Sequence, residues 1–89
     1  TTVVAKANQV KRPTKRVDPQ TFAKVSLKIK TIPREEASLI LAGLGEYYLE
    51  RDNLIDSIDA FRESVTLDST NRFGREGLSD AYTRKGNEH

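Results

Sequence analysis

Residues 43–48 of this chain read GLGEYY, and residues 77–82 read GLSDAY. At an offset of 34 residues the two stretches share Gly, Leu and Tyr at their first, second and sixth positions. The same offset aligns Asn53 with Asn87. Self-similarity at such a period predicts stacked copies of one supersecondary unit, because a single unit cannot bury its apolar face alone.

Helical patterns surround both stretches. Pro33, with two acidic residues shortly after it, predicts the start of a helix that runs to about Glu50. Residues 54–67 form a second predicted helix, with apolar side chains at spacings of three and four on one stripe. A third helix follows Asn71, a candidate N-cap, and Gly86 is expected to end it as a C-terminal glycine. Consecutive helices joined by short turns predict helix hairpins.

Residues 18–32 carry two competing patterns. Asp18 and Pro19 suit the N-cap and the first position of a helix, and the apolar residues from Phe22 onward recur at helical spacing. Between Val25 and Lys30, apolar and polar residues instead alternate as in a strand, and several of them are β-branched. We expect a helix over 18–32, and the strand remains the alternative.

The repeat resembles the tetratricopeptide-repeat family, whose unit is two antiparallel helices with a period of 34 residues. The family's first helix carries a bulky residue, Leu-Gly and then Tyr, and its second helix carries a small residue, an aromatic residue and another small residue. These packing positions fall on Leu41, Leu44, Gly45, Tyr48, Ser57, Phe61, Ser64, Leu78 and Tyr82. The sequence departs from the family at Leu41, where Trp is usual, at Asp52, where Gly is usual, and at Ser69, where Pro is usual.

The resemblance implies an all-α fold, in which antiparallel helix hairpins form a short tetratricopeptide-like array. An extended basic N-terminal arm precedes this array. Residues 1–17 are expected to be extended or disordered, and residues 18–89 are expected to form the helical domain. Within that domain, 38–71 is a full repeat, and 72–87 is either a partial repeat or a capping helix.

Charge is divided unevenly along the chain. Residues 1–34 contain nine Lys or Arg and one Asp, a balance of +8, whereas residues 35–89 have a balance of −6. Such a split predicts a basic arm on an acidic body. The cations of the arm are Lys6, Lys11, Arg12, Lys15 and Arg16. A second hypothesis is that this arm binds nucleic acid or an anionic surface, although Phe22 is the only aromatic residue near it for base stacking.

Residue types exclude several kinds of chemistry. The chain has no Cys, and its one His is His89, so it lacks the ligands of a His/Cys metal site and a base for an activated nucleophile. No apolar stretch approaches the ~20 residues that a transmembrane helix needs. We therefore predict a non-catalytic protein-interaction or assembly module without cofactor or metal. A peripheral subunit of a larger complex is the hypothesis that suits such a module. A third hypothesis is a regulatory domain of a larger enzyme.

In the tetratricopeptide family, the first helix of each unit lines a concave face that binds partners. Transferred to this sequence, the groove positions are Leu39, Ala42, Glu46, Leu49, Phe73, Glu76 and Asp80. The three acids among them predict a groove that accepts a basic or apolar segment. That segment belongs either to a partner protein or to the chain's own arm, residues 6–16, acting as an internal plug.

The acidic groove generates one prediction. The best-known ligand site of the family uses Lys and Asn to hold the C-terminal carboxylate of chaperones, whereas this sequence places Glu46, Glu76 and Asp80 in the groove. Because like charges repel, a peptide ending in Glu-Glu-Val-Asp is expected not to bind. Isothermal titration calorimetry checks this, and a saturable heat of binding would contradict it.

Overall fold

The computed structural model describes residues 12–87, which contain four helices. Helix α1 spans Pro19–Ser26, α2 spans Arg34–Glu50, α3 spans Leu54–Leu67 and α4 spans Arg72–Gly86. No strand forms in this part of the chain, and residues 12–18 have no regular secondary structure. The all-α class expected from the sequence is therefore confirmed. None of the four helices is long and apolar enough to cross a membrane.

Helix α1 begins where the sequence predicts but ends early. The Asp18 carboxylate caps it and accepts a hydrogen bond from the Thr21 amide at 2.7 Å, and this bond lowers the pKa of Asp18. After Ser26 the backbone continues in turns with i→i−3 hydrogen bonds. Leu27 is 87% exposed, whereas Ile29 and Ile32 in these turns are partly buried. The helix expected over 18–32 is thus shorter than predicted, and the alternative strand does not form.

Helices α2 and α3 form an antiparallel pair. Near the turn that joins them, Ser57 Oγ donates a hydrogen bond to the Gly45 carbonyl at 2.9 Å. At the far end, Ser38 Oγ donates to the Ser64 carbonyl and Ser64 Oγ donates to the Ser38 carbonyl, both at 2.7 Å. These three serines have no exposed surface, and the hydrogen bonds satisfy their hydroxyls within the helix contact.

Asn71 caps α4 and joins it to this pair. Its side-chain Oδ1 accepts hydrogen bonds from the amides of Phe73 and Gly74 at 3.0 and 3.3 Å, which confirms the predicted N-cap. Its Nδ2 donates to the hydroxyls of Ser38 and Ser64 at 2.8 and 3.2 Å. The start of α4 is therefore held beside the start of α2.

Phe61 has no exposed surface and contacts both α2 and α4. A Cβ atom added at Gly45 would lie 2.8 Å from the ring, and one added at Gly77 would lie closer still. Both helices therefore reach the same aromatic ring through a glycine. Arg84 donates to the Leu49 carbonyl at 3.4 Å near the ends of these helices, while Asn71 joins their starts, so α2 and α4 run parallel.

The predicted packing positions differ between the two copies of the repeat. In the first copy they are buried or partly buried: Leu41, Leu44, Gly45, Tyr48, Ser57, Phe61 and Ser64. In the second copy, Leu78 is partly buried against the cluster that contains Phe61. Tyr82, however, is 50% exposed, because no element within residues 12–87 covers that side of α4. Tyr82 is thus only half buried among the described residues, and its packing role stays a prediction.

Two turn positions depend on backbone conformation. Asp52, with φ of 61°, is the one non-glycine residue within 12–87 that has a left-handed backbone. Gly adopts this conformation more easily than Asp does, because it has no Cβ atom. Gly86 is the last residue of α4 and does not have a positive φ, and Asn87 caps the helix with φ of −91°. The helix therefore ends at Gly86 as predicted, although Gly86 does not adopt the left-handed conformation common at helix C-termini.

The contact with Phe61 predicts a contrast between two glycines on α4. We expect Gly77→Ala to lower the free energy of unfolding by about 1–3 kcal/mol, because the new methyl group overlaps the ring. Gly86→Ala is the matched control, since nothing lies within 4 Å of its added Cβ. We expect this control to leave stability unchanged or to raise it by up to ~1 kcal/mol. Urea denaturation followed by circular dichroism measures both, and equal stability of the two variants would contradict the packing described.

Candidate functional site

The parallel register of α2 and α4 brings two acidic side chains together. Glu46 follows Gly45 directly on α2, and Asp80 lies about one turn after Gly77 on α4. Glu46 and Asp80 are separated by the 34-residue period, and both lie within hydrogen-bond distance of the same side chain, that of Arg12. The Glu46 side chain is 2% exposed and that of Asp80 is 20% exposed. A groove with two carboxylates in its floor results.

Arg12 of the arm fills this groove. Its guanidinium donates two hydrogen bonds to Glu46, one from Nε and one from Nη2 at 3.0 Å, and Nη2 also donates to Asp80 at 3.0 Å. The Arg12 side chain is only 4% exposed. Burial by itself would lower the pKa of Arg12, but the hydrogen bonds to Glu46 and Asp80 outweigh burial and raise it. The groove therefore holds a fully charged guanidinium between two carboxylates.

A second ion pair lies one helical turn away. Arg16 Nη2 is 2.9 Å from Glu50 Oε2, and their side chains are 26% and 37% exposed. Arg16 Nη1 also donates to the carbonyls of Arg12 and Thr14, which holds the arm in its bent path. Exposed pairs of this kind contribute about 0–1 kcal/mol, so this contact matters for position more than for affinity.

Gly43 lets the backbone of the arm approach α2. A Cβ atom at this position would overlap the carbonyl oxygen of Lys15 and lie 2.9 Å from Val17 Cγ2. The amide of Val17 donates to the Gly43 carbonyl at 3.2 Å. Val17 is 9% exposed and packs with Leu44 and Ala60. The arm is thus attached by apolar and backbone contacts as well as by charge.

Thr14 fits this docked arm imperfectly. The residue is 7% exposed, and its hydroxyl oxygen is buried without a hydrogen-bond partner among the described residues. An unsatisfied buried hydroxyl typically costs about 1–3 kcal/mol. The docked arm therefore contains one polar group that opposes its own binding.

The structure places the predicted site residues in different environments. Arg12, Arg16, Glu46 and Asp80 lie together in the groove. The side chain of Lys15 is exposed, and Lys6 and Lys11 lie outside the described residues. Residues 12–16 of the segment named in the plug hypothesis lie against these acids, and its residues 6–11 lie outside the described residues.

Four other predicted groove positions do not line the occupied groove. Ala42 and Leu49 belong to the buried cluster around Phe61, and Phe73 packs against that cluster. They face inward because α2 and α4 are held closely together by the glycine contacts with Phe61. Leu39 is 48% exposed and has no described contact with the arm.

Glu76 also differs from the expectation, since it forms a hydrogen bond with Arg72 on its own helix at 2.6 Å. This bond lowers the pKa of the Glu76 carboxyl, and Arg12 adds a smaller charge effect in the same direction.

Sequence reasoning missed Gly43, Thr14, Val17 and Glu50 as contact positions. One signal could have found the ion pairs, since Arg12 precedes Glu46 by 34 residues and Arg16 precedes Glu50 by the same interval. The arm therefore continues the charge pattern of the repeat by one period, with cations in place of acids.

A separate cavity of about 480 Å³ lies between α1, the turn after it, α2 and α3. Its lining is mostly apolar, with charged groups at Lys30, Arg34 and Glu63. Residues 12–17 of the arm do not line this cavity. In the described part of the chain, no cluster of His, Cys, Asp and Glu could hold a metal ion.

Comparisons of this chain with protein-family models, with curated proteins and with solved structures find no match.

The burial difference between the two ion pairs predicts unequal effects of two matched substitutions. We expect Arg12→Ala to raise the hydrogen-exchange rate of the Val17 amide at least ~10-fold, because it removes the buried charged contacts that hold the arm. Arg16→Ala removes the exposed pair, and we expect a change below about fivefold. Exchange measured by NMR tests both, with the amides inside α3 as an internal reference. Equal Val17 exchange in wild type and Arg12→Ala would contradict the proposed anchor.

Proposed function

We propose that this protein is a non-catalytic protein-interaction or assembly module of the tetratricopeptide-repeat kind, whose acidic groove binds an extended basic segment of a partner. The observation that carries the proposal is the position of Arg12, buried between Glu46 and Asp80 in a stretch of chain without regular secondary structure. A groove that holds one extended segment through side-chain charge and backbone contacts has the chemistry needed to hold another. The chain's own arm then occupies the groove until a partner segment replaces it.

The arrangement of the acids supports binding over catalysis. Glu46 and Asp80 both accept hydrogen bonds from a single guanidinium, so they are positioned as acceptors for a planar cation. Arg84 also donates to Asp80 at 3.1 Å, which fixes the orientation of that carboxylate. Preorganised acceptors lower the cost of ordering side chains when a ligand binds.

The alternative in which the arm binds nucleic acid receives less support from the contacts. Arg12 and Arg16, two of the five cations assigned to the arm, are engaged by Glu46 and Glu50 in the docked state. They would be available to phosphate groups only after the arm leaves the groove. Protein binding by the groove and release of the arm are therefore the primary events in this proposal.

Binding in trans tests the proposal directly. The double variant Arg12→Ala/Arg16→Ala removes both side-chain anchors of the arm while keeping the acids of the groove. A fluorescent peptide with the sequence of residues 11–18, KRPTKRVD, is titrated with this opened-groove variant and followed by anisotropy. We expect saturable binding that weakens as salt is added, because charged contacts contribute to it.

Matched controls locate the peptide in the groove. Adding Gly43→Ala to the opened-groove variant places a methyl group where the peptide backbone must lie, and we expect binding to be lost. Adding Glu46→Gln removes an acceptor charge and weakens binding, whereas adding Asp59→Asn removes an exposed charge outside the groove and leaves binding unchanged. Absence of peptide binding by the folded opened-groove variant, or unchanged binding after Gly43→Ala, would contradict the proposal.

A further inference from the structure

The docked arm serves as a template for the ligand that the groove prefers. Its contacts define four positions: Arg12 in the acidic floor, Thr14 in a buried site, Arg16 against Glu50, and Val17 on α2. Each position imposes its own chemical requirement. Together they define a sequence pattern that neither the charge of the groove nor its shape alone would define.

The first position requires Arg and not merely a positive charge. One guanidinium donates from Nε and Nη2 to Glu46, and the same Nη2 also reaches Asp80. A Lys ammonium is a compact point charge on a flexible stem and lacks the planar fork that matches a carboxylate in two places. The 4% exposure of the Arg12 side chain leaves little room for water to complete an imperfect contact.

The second position prefers an aliphatic side chain to the Thr14 that the arm provides. The buried hydroxyl of Thr14 finds no acceptor or donor in the described part of the chain. Val has nearly the same shape and is also β-branched, so it keeps the extended backbone while removing the unsatisfied oxygen. The chain's own arm is therefore a poorer ligand than the groove could accept.

Tethering explains why a poorer ligand still occupies the groove. A segment joined to its site by a short connection acts at an effective concentration on the order of millimolar. Residues 18–33, which form α1 and the turns beside it, connect Val17 to α2, the helix that contains Gly43. A free segment of equal intrinsic affinity cannot displace the arm when its concentration is below the effective concentration of the arm. A segment that matches the groove better displaces the arm at a lower concentration.

We infer that the groove is a recognition site for extended partner segments of the pattern Arg-x-aliphatic-x-Arg-Val, and that the arm is a weaker, tethered occupant which such segments displace. This inference rests on the proposed function and specifies its partner class. The pattern corresponds to Arg12, Thr14, Arg16 and Val17, with the threonine replaced by an aliphatic residue.

Four peptides based on residues 11–18 test the pattern against the opened-groove variant Arg12→Ala/Arg16→Ala. They carry the native sequence, Thr14→Val, Thr14→Ser or Arg12→Lys. We expect Thr14→Val to bind about 10-fold more tightly than the native peptide, because the unsatisfied hydroxyl is gone. Thr14→Ser keeps the hydroxyl and should not bind more tightly, and Arg12→Lys should bind at least ~10-fold more weakly.

The outcomes separate this inference from the proposed function. If all four peptides bind with equal affinity, the groove accepts basic segments without the proposed pattern, so the inference falls and the proposed function stands. If Thr14→Val binds no better than the native peptide, the aliphatic preference is wrong. If no peptide binds to a variant whose circular dichroism shows intact helices, the proposed function itself falls.

Thr14→Val in the intact chain is expected to weaken peptide binding, because it strengthens the competing arm. It gives a test that does not depend on the double variant. In the full chain, Thr14→Val strengthens the tethered arm, and we expect the Val17 amide to exchange about 10-fold more slowly than in the wild-type chain. We also expect the Thr14→Val peptide to bind this variant chain more weakly than it binds the wild-type chain. Thr14→Ser in the chain is the matched control. Faster Val17 exchange in the Thr14→Val chain would overturn the inference even if the double variant failed to fold.

Discussion

The contact of α2 and α4 with the ring of Phe61 is the constraint on which the other features depend. Because Gly45 and Gly77 lack side chains, both helices come close to the ring. Glu46 and Asp80 lie on these two neighbouring helices, 34 residues apart, and both accept hydrogen bonds from Arg12. A larger residue at either glycine would separate the helices and, with them, the two carboxylates.

The paired acids create an electrostatic problem that the arm resolves. Glu46 is almost completely buried, and a buried carboxylate without a partner is strongly unfavourable. The arm supplies Arg12 to Glu46 and Asp80, and it places Val17 in an apolar cluster on α2. Docking of the arm therefore both neutralises the buried acids and completes the apolar packing at this surface. A partner segment that displaces the arm must satisfy the same acids.

Much of the helical framework could be predicted from local sequence. The bounds of α2, α3 and α4 follow from Pro33, the apolar stripes and the Asn71 cap, which are all local signals. The end of α1 and the exposure of Tyr82 could not be predicted, because they depend on which neighbouring surfaces cover them. An apolar side chain has the same periodicity whether or not a partner element is present to bury it.

The candidate site divides in the same way. The sequence by itself determined the 34-residue period, the acidic sign of the groove at Glu46 and Asp80, and the basic character of the segment that precedes them. Only the tertiary structure decided that Arg12 enters that groove, that Gly43 admits the arm's backbone, and that Ala42 and Leu49 face the core. Charge and periodicity are properties of the chain and can be counted along it. Which groups meet depends on helix register and close approach, and these arise only when the Phe61 contact brings distant residues together.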